Sequence, residues 1–155
     1  LQDNDKLNLW VFGHSADSTG NGNTEMYEYS SPTMKSRPMA CGAMTARYEN
    51  RDGNAILASA EKVRQESQNP SAQKIMIIFS DGSPSADRYR GEKAIKHTAS
   101  MVKKAESMGF SVIQVGFAGA YGRYQEQMFT NHIYVEDMDM LPRQIGKILQ
   151  RVMKL

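Results

Sequence analysis

The sequence predicts an α/β fold with a mainly parallel central sheet flanked by helices. Two observations support this prediction: short apolar segments alternate with amphipathic helical patterns along the chain, and these segments lack the polar alternation of a strand with one face in water. A chain of 155 residues, 40% of them hydrophobic, is long and apolar enough for one core. We therefore expect one α/β domain over residues 1–155.

The first half of the chain is predicted to hold one strand, a long loop and one helix. Leu7 to Gly13 is an apolar run that ends in glycine, which indicates a buried strand. The stretch from His14 to Pro38 is rich in Ser, Thr, Gly, Asn and Pro, so we expect a long surface insertion. From Gly53 to about Asn69-Pro70 the apolar positions recur at helical spacing; they are Ile56, Leu57, Ala60 and Val63.

The second half of the chain is predicted to alternate regularly between strand and helix. Lys74 to Ser80 and Phe110 to Phe117 are apolar, β-branched runs typical of strands covered on both faces. Gly91 to Met108 has one apolar face, and Gly109 stands where a helix C-cap is expected. A short helix, a short strand and a last helix are expected at Tyr124 to Phe129, at His132 to Val135 and from Met138 onward.

Composition argues against several classes of function. The formal net charge is +2 and the basic residues are scattered, so nucleic acid is not the expected partner. No apolar run approaches the length of about 20 residues that a membrane-spanning helix needs. The single cysteine, Cys41, cannot form an internal disulfide, which fits a reducing compartment and leads us to expect a cytoplasmic protein.

Three polar residues are candidates for a functional site, because the loops after parallel strands meet at one edge of the sheet. Asp81 directly follows an apolar strand, where its carboxylate can bind a hard cation, accept a proton or close an Asp-Gly turn. Asn50 and Asp52 precede the first helix, where either can cap the helix or point an oxygen toward the same edge. Neither motif is specific alone.

Together, two segments resemble the second and third motifs of a von Willebrand factor A (vWA) domain. The likeness is nearest to the bacterial subgroup of CobT-type cobaltochelatase subunits and NorD-type activation proteins, and it covers most of the chain from Leu7 onward. The two segments are Asn50-Arg51-Asp52-Gly53-Asn54-Ala55-Ile56 and Ile75-Met76-Ile77-Ile78-Phe79-Ser80-Asp81-Gly82-Ser83-Pro84. Further matches are Tyr89-Arg90-Gly91, Phe110 to Gly116, Tyr134-Val135 and Leu141-Pro142.

The resemblance implies a Rossmann-like domain with a metal-ion-dependent adhesion site for Mg²⁺ or another divalent cation. Matched by position, Asp81 takes the role of the third-motif aspartate, Asn50 falls at the second-motif threonine, and Asp52 is a further candidate ligand. It also implies a protein-binding module without catalytic activity, whose partner is an AAA+ ATPase of the MoxR or CobS kind. Cobalt insertion during cobalamin biosynthesis is the narrower function that the CobT likeness implies.

The chain departs from the family at the first motif, Asp-x-Ser-x-Ser. Asp17-Ser18-Thr19-Gly20-Asn21 has similarly spaced oxygens, but residues 13–16 separate it from the predicted strand, and residues 22–49 show no buried strand. We therefore take Leu7 to Phe12 as the family's second strand and expect the first strand, its metal loop and the first helix to lie before Leu1. A cation held by one carboxylate and one neutral amide should bind weakly, if at all.

Two other functions remain open at this point. The first is a small Mg²⁺-dependent α/β enzyme that uses Asp81 as a general base or metal ligand, although Ser83 and Ser85 are the only nearby nucleophiles in the sequence. The second is a phage or cell-surface interaction domain with the same fold and a degenerate metal site. Genes for an ATPase or for structural proteins beside this one would separate the binding hypotheses.

Overall fold

Strands and helices alternate along the chain in the computed structural model, which describes residues 7–16, 22–34, 42–45, 47–117 and 122–153. None of the helices in these ranges is long and apolar enough to cross a bilayer. In chain order the elements are β1 (Val11–Ala16), β2 (Thr24–Ser30), α1 (Asp52–Glu66), β3 (Lys74–Ser80), α2 (Gly91–Ser107), β4 (Phe110–Phe117), α3 (Gly122–Met128), β5 (Asn131–Val135), a 3-10 turn (Met138–Met140) and α4 (Leu141–Met153).

The three strands of the second half form a parallel sheet in the order β3-β4-β5. Lys74 pairs with Phe110 at the start of β3 and β4, and Ile113 pairs with Asn131 where β5 joins. Helices connect these strands, as parallel pairing requires. The central strand β4 is the most buried, with Val112 and Val115 almost fully enclosed. The predicted α/β class and these three strands are therefore confirmed.

The first half contains a strand that the sequence analysis placed in a loop. β1 begins four residues later than predicted and runs on to Ala16, and β2 pairs with it antiparallel as a separate two-stranded sheet. The expected loop from His14 to Pro38 is therefore wrong for residues 14–16 and 24–30. Thr and Tyr in β2 favour an extended backbone. The strand is half-buried and carries polar residues between its apolar ones, so it lacks the continuous apolar run that predicts a buried strand.

One structural ground against Asp17 as a first-motif residue is corrected, because β1 ends at Ala16 and so leads directly into Asp17. The other is corrected in part, because residues 22–49 do contain a strand, β2, but it is half-buried rather than buried. Asp17 and the rest of the segment 17–21 lie outside the described residues, as do Cys41 and most of the loop 118–122. Among the described residues, β1 and β2 still form a hairpin with no helix between them, unlike the first unit of the family.

Helices α1 and α2 pack together on one face of the parallel sheet. Their apolar stripes form the core with residues from β3, β4 and the end of α3; its buried members are Ile56, Ala60, Ile95, Val102, Ala105, Phe110, Val112, Met128 and Phe129. Near the start of α1 the two helices approach so closely that an added Cβ on Gly53 would lie 2.6 Å from Nδ1 of His97 and 3.1 Å from Cα of Thr98. The helix crossing therefore requires glycine there.

Tyr89 fills the same helix junction from the loop before α2. Its buried hydroxyl lies 2.8 Å from Nδ1 of His97 and 3.1 Å from the Thr98 hydroxyl. Burial lowers the pKa of His97, with the positive charges of Lys104 and Arg51 acting in the same direction. His97 is therefore a neutral packing residue at neutral pH, and it joins the loop to α2.

Strand β3 is less covered than the sequence predicts. Its residues are half-buried and Phe79 is 50% exposed, whereas β4 is enclosed on both faces. Met76 and Ile78 on one face of β3 pack against the core, whereas Phe79 lies on the opposite face, and no described strand is hydrogen-bonded to the outer edge of β3. The expectation that both faces of β3 are covered is therefore wrong within the described part of the chain.

Helix α1 spans the space between the hairpin and the parallel sheet. One flank of α1 bonds to the hairpin, through Asn54 to Thr24 and through Lys62 to Glu28, and its end bonds to Trp10 through Glu66. The neighbouring stripe of α1 packs on the parallel sheet. At the start of α1 the Asp52 carboxylate contacts both β1 and β3, so the carboxyl ends of these two strands lie on either side of this side chain.

The Gly53 contact gives a test of the helix junction. We expect Gly53→Ala to lower the free energy of unfolding by about 1–3 kcal/mol, because its methyl group must displace His97 and the α2 backbone. Urea denaturation measures this change. Gly146→Ala in α4 is the matched control: nothing lies within 4 Å of its added Cβ, so it should leave stability unchanged or raise it by up to about 1 kcal/mol. Equal stability of both variants would contradict the packing.

Candidate functional site

One short segment, residues 49–52, joins the carboxyl ends of β1 and β3; we call it the bridging segment. The carbonyl of Glu49 accepts a hydrogen bond from the amide of Ala16, the last residue of β1, at 2.6 Å. Glu49 also accepts from the amide of Asp87 at 2.7 Å, in the loop that follows β3. The predicted convergence of these loops at one edge of the fold is therefore present in the structure.

Asp52 lies at the centre of this edge and is only 2% exposed. One carboxylate oxygen accepts a hydrogen bond from the Asn50 amide at 3.0 Å and lies 3.7 Å from Nε2 of His14. The other accepts from the Ser80 hydroxyl at 3.3 Å. Asp52 begins α1, where the helix dipole favours a negative charge, although the N-cap position itself belongs to Arg51 and has no side-chain cap.

The environment of Asp52 opposes its ionisation. Burial raises the pKa of its carboxyl group above the usual value, and the negative charge of Asp81 acts in the same direction. His14 and the hydrogen bonds from Ser80 and Asn50 act in the opposite direction without cancelling the effect of burial. Carboxyl groups whose pKa is raised by burial and by a second carboxylate cluster at functional sites, so Asp52 is a candidate site residue.

Asn50 joins the bridging segment to the loop after β3 through its side-chain oxygen and its backbone amide. Its Oδ1 accepts from the backbone amide of Ser85 at 2.8 Å, and its own backbone amide donates to the Ser85 carbonyl at 3.0 Å. Its Nδ2 donates to Asp52. Asn50 does not cap α1, so that alternative is wrong, and in this arrangement its oxygen is used by the loop rather than turned toward the site.

Asp81 is exposed at the edge of the site and closes a local turn. Its Oδ1 accepts from the amide of Ser83 at 3.1 Å, while the amide of Gly82 donates to the Ser80 hydroxyl at 3.0 Å. Gly82 has a φ of +82°, which favours glycine. The Asp-Gly turn is therefore present, and the second carboxylate oxygen of Asp81 has no hydrogen bond in the described contacts of this turn.

Two residues of the site were not identified from the sequence. His14 was assigned to a loop and Ser80 was treated only as the end of a strand, yet both contact Asp52. The signal for Ser80 was its place directly before Asp81, at the carboxyl end of a buried strand. No local signal identifies His14, because its role depends on the tertiary approach of β1 to α1.

Asp52 and Asp81 fit a hard divalent cation better than Asn50 does. Their carboxylates provide oxygen and negative charge, and their mutual repulsion would be relieved by a cation. The Asn50 oxygen is already bonded to Ser85. No cluster of three or more His, Cys, Asp or Glu side chains suited to a metal occurs among the described residues. The charged groups that could ligate a cation at this edge are therefore the carboxylates of Asp52 and Asp81.

Comparisons with known proteins give one similar sequence of unassigned role. No protein-family model matches this chain, and no solved structure matches it. The "uncharacterized protein YojO" of Bacillus subtilis (strain 168) is 30% identical over 118 residues. The match covers 68% of this chain and 17% of YojO, so the chain corresponds to a small part of that protein. The vWA resemblance therefore stays a prediction from the sequence.

The buried carboxylate predicts a measurable dependence of stability on pH. We expect Asp52→Asn to raise the melting temperature at neutral pH, because it removes a charge whose burial raises the pKa while keeping a partner for Ser80 and Asn50. An acid whose pKa is raised by folding destabilises the fold once ionised, so this gain should shrink as the pH falls through the folded pKa and vanish below the ordinary 3.8.

Differential scanning calorimetry between pH 3 and pH 8 measures this effect. Asp81→Asn is the matched control, because that side chain is exposed and asparagine can accept the same hydrogen bond from Ser83. It should leave the melting temperature nearly unchanged at every pH. A lower melting temperature for Asp52→Asn at neutral pH would show that the ionised carboxylate stabilises the fold.

Proposed function

We propose that this chain is a protein-binding module of the vWA type, whose partner docks at the edge where Asp81 is exposed beside the buried Asp52. The observation that carries the proposal is the convergence of two predicted motifs: the bridging segment and the loop after β3 are joined by four hydrogen bonds between residues 49–51 and 85–87. The loops are rigidly tied to each other, and Asp81 is left exposed at their edge. A fixed, exposed carboxylate suits recognition of a partner.

A divalent cation such as Mg²⁺ would strengthen this recognition. Bound by Asp52 and Asp81, it would provide an open coordination position for a carboxylate of the partner. In this chain Asn50 would position Asp52 rather than ligate the cation, since its oxygen holds Ser85. Two carboxylates and no further charged ligand imply weak cation binding in the absence of the partner.

The partner that the resemblance favours is an AAA+ ATPase of the MoxR or CobS kind, within a cytoplasmic chelatase or metalloenzyme-activation complex. Cobalt insertion in cobalamin biosynthesis is one form of that function. Support comes from the matched motifs and from the near-neutral net charge of +2, which favours a protein partner over nucleic acid. The match covers 17% of YojO and therefore gives no information about the partner of this chain.

Binding to a purified MoxR- or CobS-class ATPase from the source organism tests the proposal. We expect binding in millimolar Mg²⁺ to weaken at least tenfold on addition of EDTA and to weaken similarly in Asp81→Ala, because both changes remove the cation bridge. Isothermal titration calorimetry measures the dissociation constants. Circular dichroism of Asp81→Ala verifies that the variant is folded.

Glu61→Ala is the charge-matched control, because Glu61 is exposed on α1 away from the site. It should bind the ATPase as tightly as the unaltered protein. Binding that is independent of the cation would remove the metal from the proposal. Absence of binding under both conditions would exclude this class of ATPase as the partner.

A further inference from the structure

Residues 88–107, which contain α2 and the end of the turn before it, collect much of the positive charge of this protein. They include six of the 19 Lys and Arg residues and two of the 17 Asp and Glu residues, so their formal charge is +4 and that of the rest of the chain is −2. All six cations are exposed, and we call them the basic surface: Arg88, Arg90, Lys93, Lys96, Lys103 and Lys104.

The four lysines of the basic surface lie on one face of α2. At 3.6 residues per turn they fall within an arc of about 100°, and the stripe from Lys93 to Lys104 is about 16 Å long. Glu92 and Glu106 lie outside this arc. The opposite face of α2 is held in the core by its buried residues: Ala94, Ile95, Thr98, Met101, Val102 and Ala105. The packing of α2 therefore fixes the lysine stripe toward solvent.

The described residues neutralise little of this charge. Lys96 pairs with Glu92 at 2.7 Å, but both side chains are at least 75% exposed, so solvent weakens the pair. The other three lysines of the stripe have no ion pair with a described carboxylate. Like charges that share a helix face repel one another. The stripe is therefore an arrangement that an external negative charge would stabilise.

Arg88 extends the basic surface from a strained turn that the fold holds in place. Its φ is +53°, a conformation that is unfavourable for a residue with a long side chain. The turn is closed by backbone hydrogen bonds between Ala86 and Tyr89 in both directions, at 2.7 and 2.9 Å, and the carbonyl of Asp87 accepts from Arg51 at 2.7 Å. The Arg88 side chain is 90% exposed, so packing does not account for the strain. Strained residues of this kind cluster at functional sites.

The composition of the basic surface favours an acidic polypeptide over nucleic acid or a membrane. None of the large apolar side chains that are exposed in the described residues lies within residues 88–107. The surface therefore offers no aromatic ring for stacking on a base and no apolar side chain for insertion into lipid. Carboxylates on an extended chain, which rises about 3.3 Å per residue, can follow the 16 Å stripe over about five residues.

We propose that the basic surface binds an acidic polypeptide segment of a protein partner. Carboxylates of the segment would pair with the lysines of α2, and the fixed turn would present the Arg88 guanidinium for a bidentate contact with one of them. The interaction uses none of the residues of the proposed cation site and requires no cation. Either proposal can therefore fail without the other.

Fluorescence anisotropy with a labelled peptide of eight glutamates tests the proposal in the absence of divalent cations. We expect the peptide to bind at low ionic strength and to dissociate as salt is added, because salt screens exposed charges. The variant with Lys93→Gln, Lys103→Gln and Lys104→Gln should bind at least fivefold more weakly. Glutamine has a helix propensity close to that of lysine, and circular dichroism verifies that the variant is folded.

The matched control removes three exposed cations from α4. Arg143→Gln, Lys147→Gln and Arg151→Gln change the net charge by the same amount, and this variant should bind the peptide as tightly as the unaltered protein. Equal weakening by the two sets of substitutions would overturn the proposal, because it would show attraction to net charge rather than to the α2 face.

Arg88→Gly tests the role of the turn. Glycine adopts a φ of +53° without strain, so this variant should melt at a higher temperature than the unaltered protein and yet bind the glutamate peptide at least twofold more weakly. Arg88→Lys, which keeps the charge and the strain, should restore part of the binding. Unchanged binding by Arg88→Gly would exclude the turn from the surface.

The choice of partner is tested with other probes under the same conditions. A peptide of eight alternating glycines and serines should not bind. Absence of binding by the glutamate peptide would overturn the proposal. Tighter binding to a short DNA duplex, or to vesicles that contain phosphatidylserine, would also overturn it and would assign the surface to phosphate groups.

Discussion

The organisation of this protein depends on the buried carboxylate of Asp52. It receives hydrogen bonds from Asn50 and Ser80, lies against His14, and stands at the first turn of α1. Through these contacts one side chain connects the hairpin, the bridging segment, the first helix and the parallel sheet. The geometry of the whole edge therefore depends on satisfying the hydrogen-bonding groups of this one buried side chain.

The cost of that burial explains the character of the site. An ionised carboxylate with 2% exposure requires donors on every side, and the molecule provides neutral ones, Asn50 and Ser80, together with His14. These contacts leave its pKa raised, with the charge of Asp81 adding to the effect of burial. A site that accepts such a cost is suited to bind a positive charge, which is the physical basis of the cation-dependent recognition that we propose.

The division into two sheets also determines how the two halves of the fold are held together. The parallel sheet has a well-packed core under α1 and α2, whereas the hairpin is attached through the bridging segment and through polar contacts along one flank of α1. The hairpin is therefore held both at the Asp52 edge and along that flank of α1.

The sequence by itself determined the regular second half of the fold. β3 and β4 were predicted with their observed bounds, and α2 to within one residue. The reason is that an apolar run, or a helix with one apolar face, indicates from its local residue pattern which side chains are buried. It also identified Asp81, Asn50 and Asp52 as neighbours, since loops after parallel strands meet at one edge. Only the tertiary structure decided the hairpin, the open edge of β3, the role of Asn50 as a tie between loops and the approach of His14 to Asp52. These features arise from backbone pairing and contacts between residues distant in sequence, and a local pattern of residue types carries no record of them.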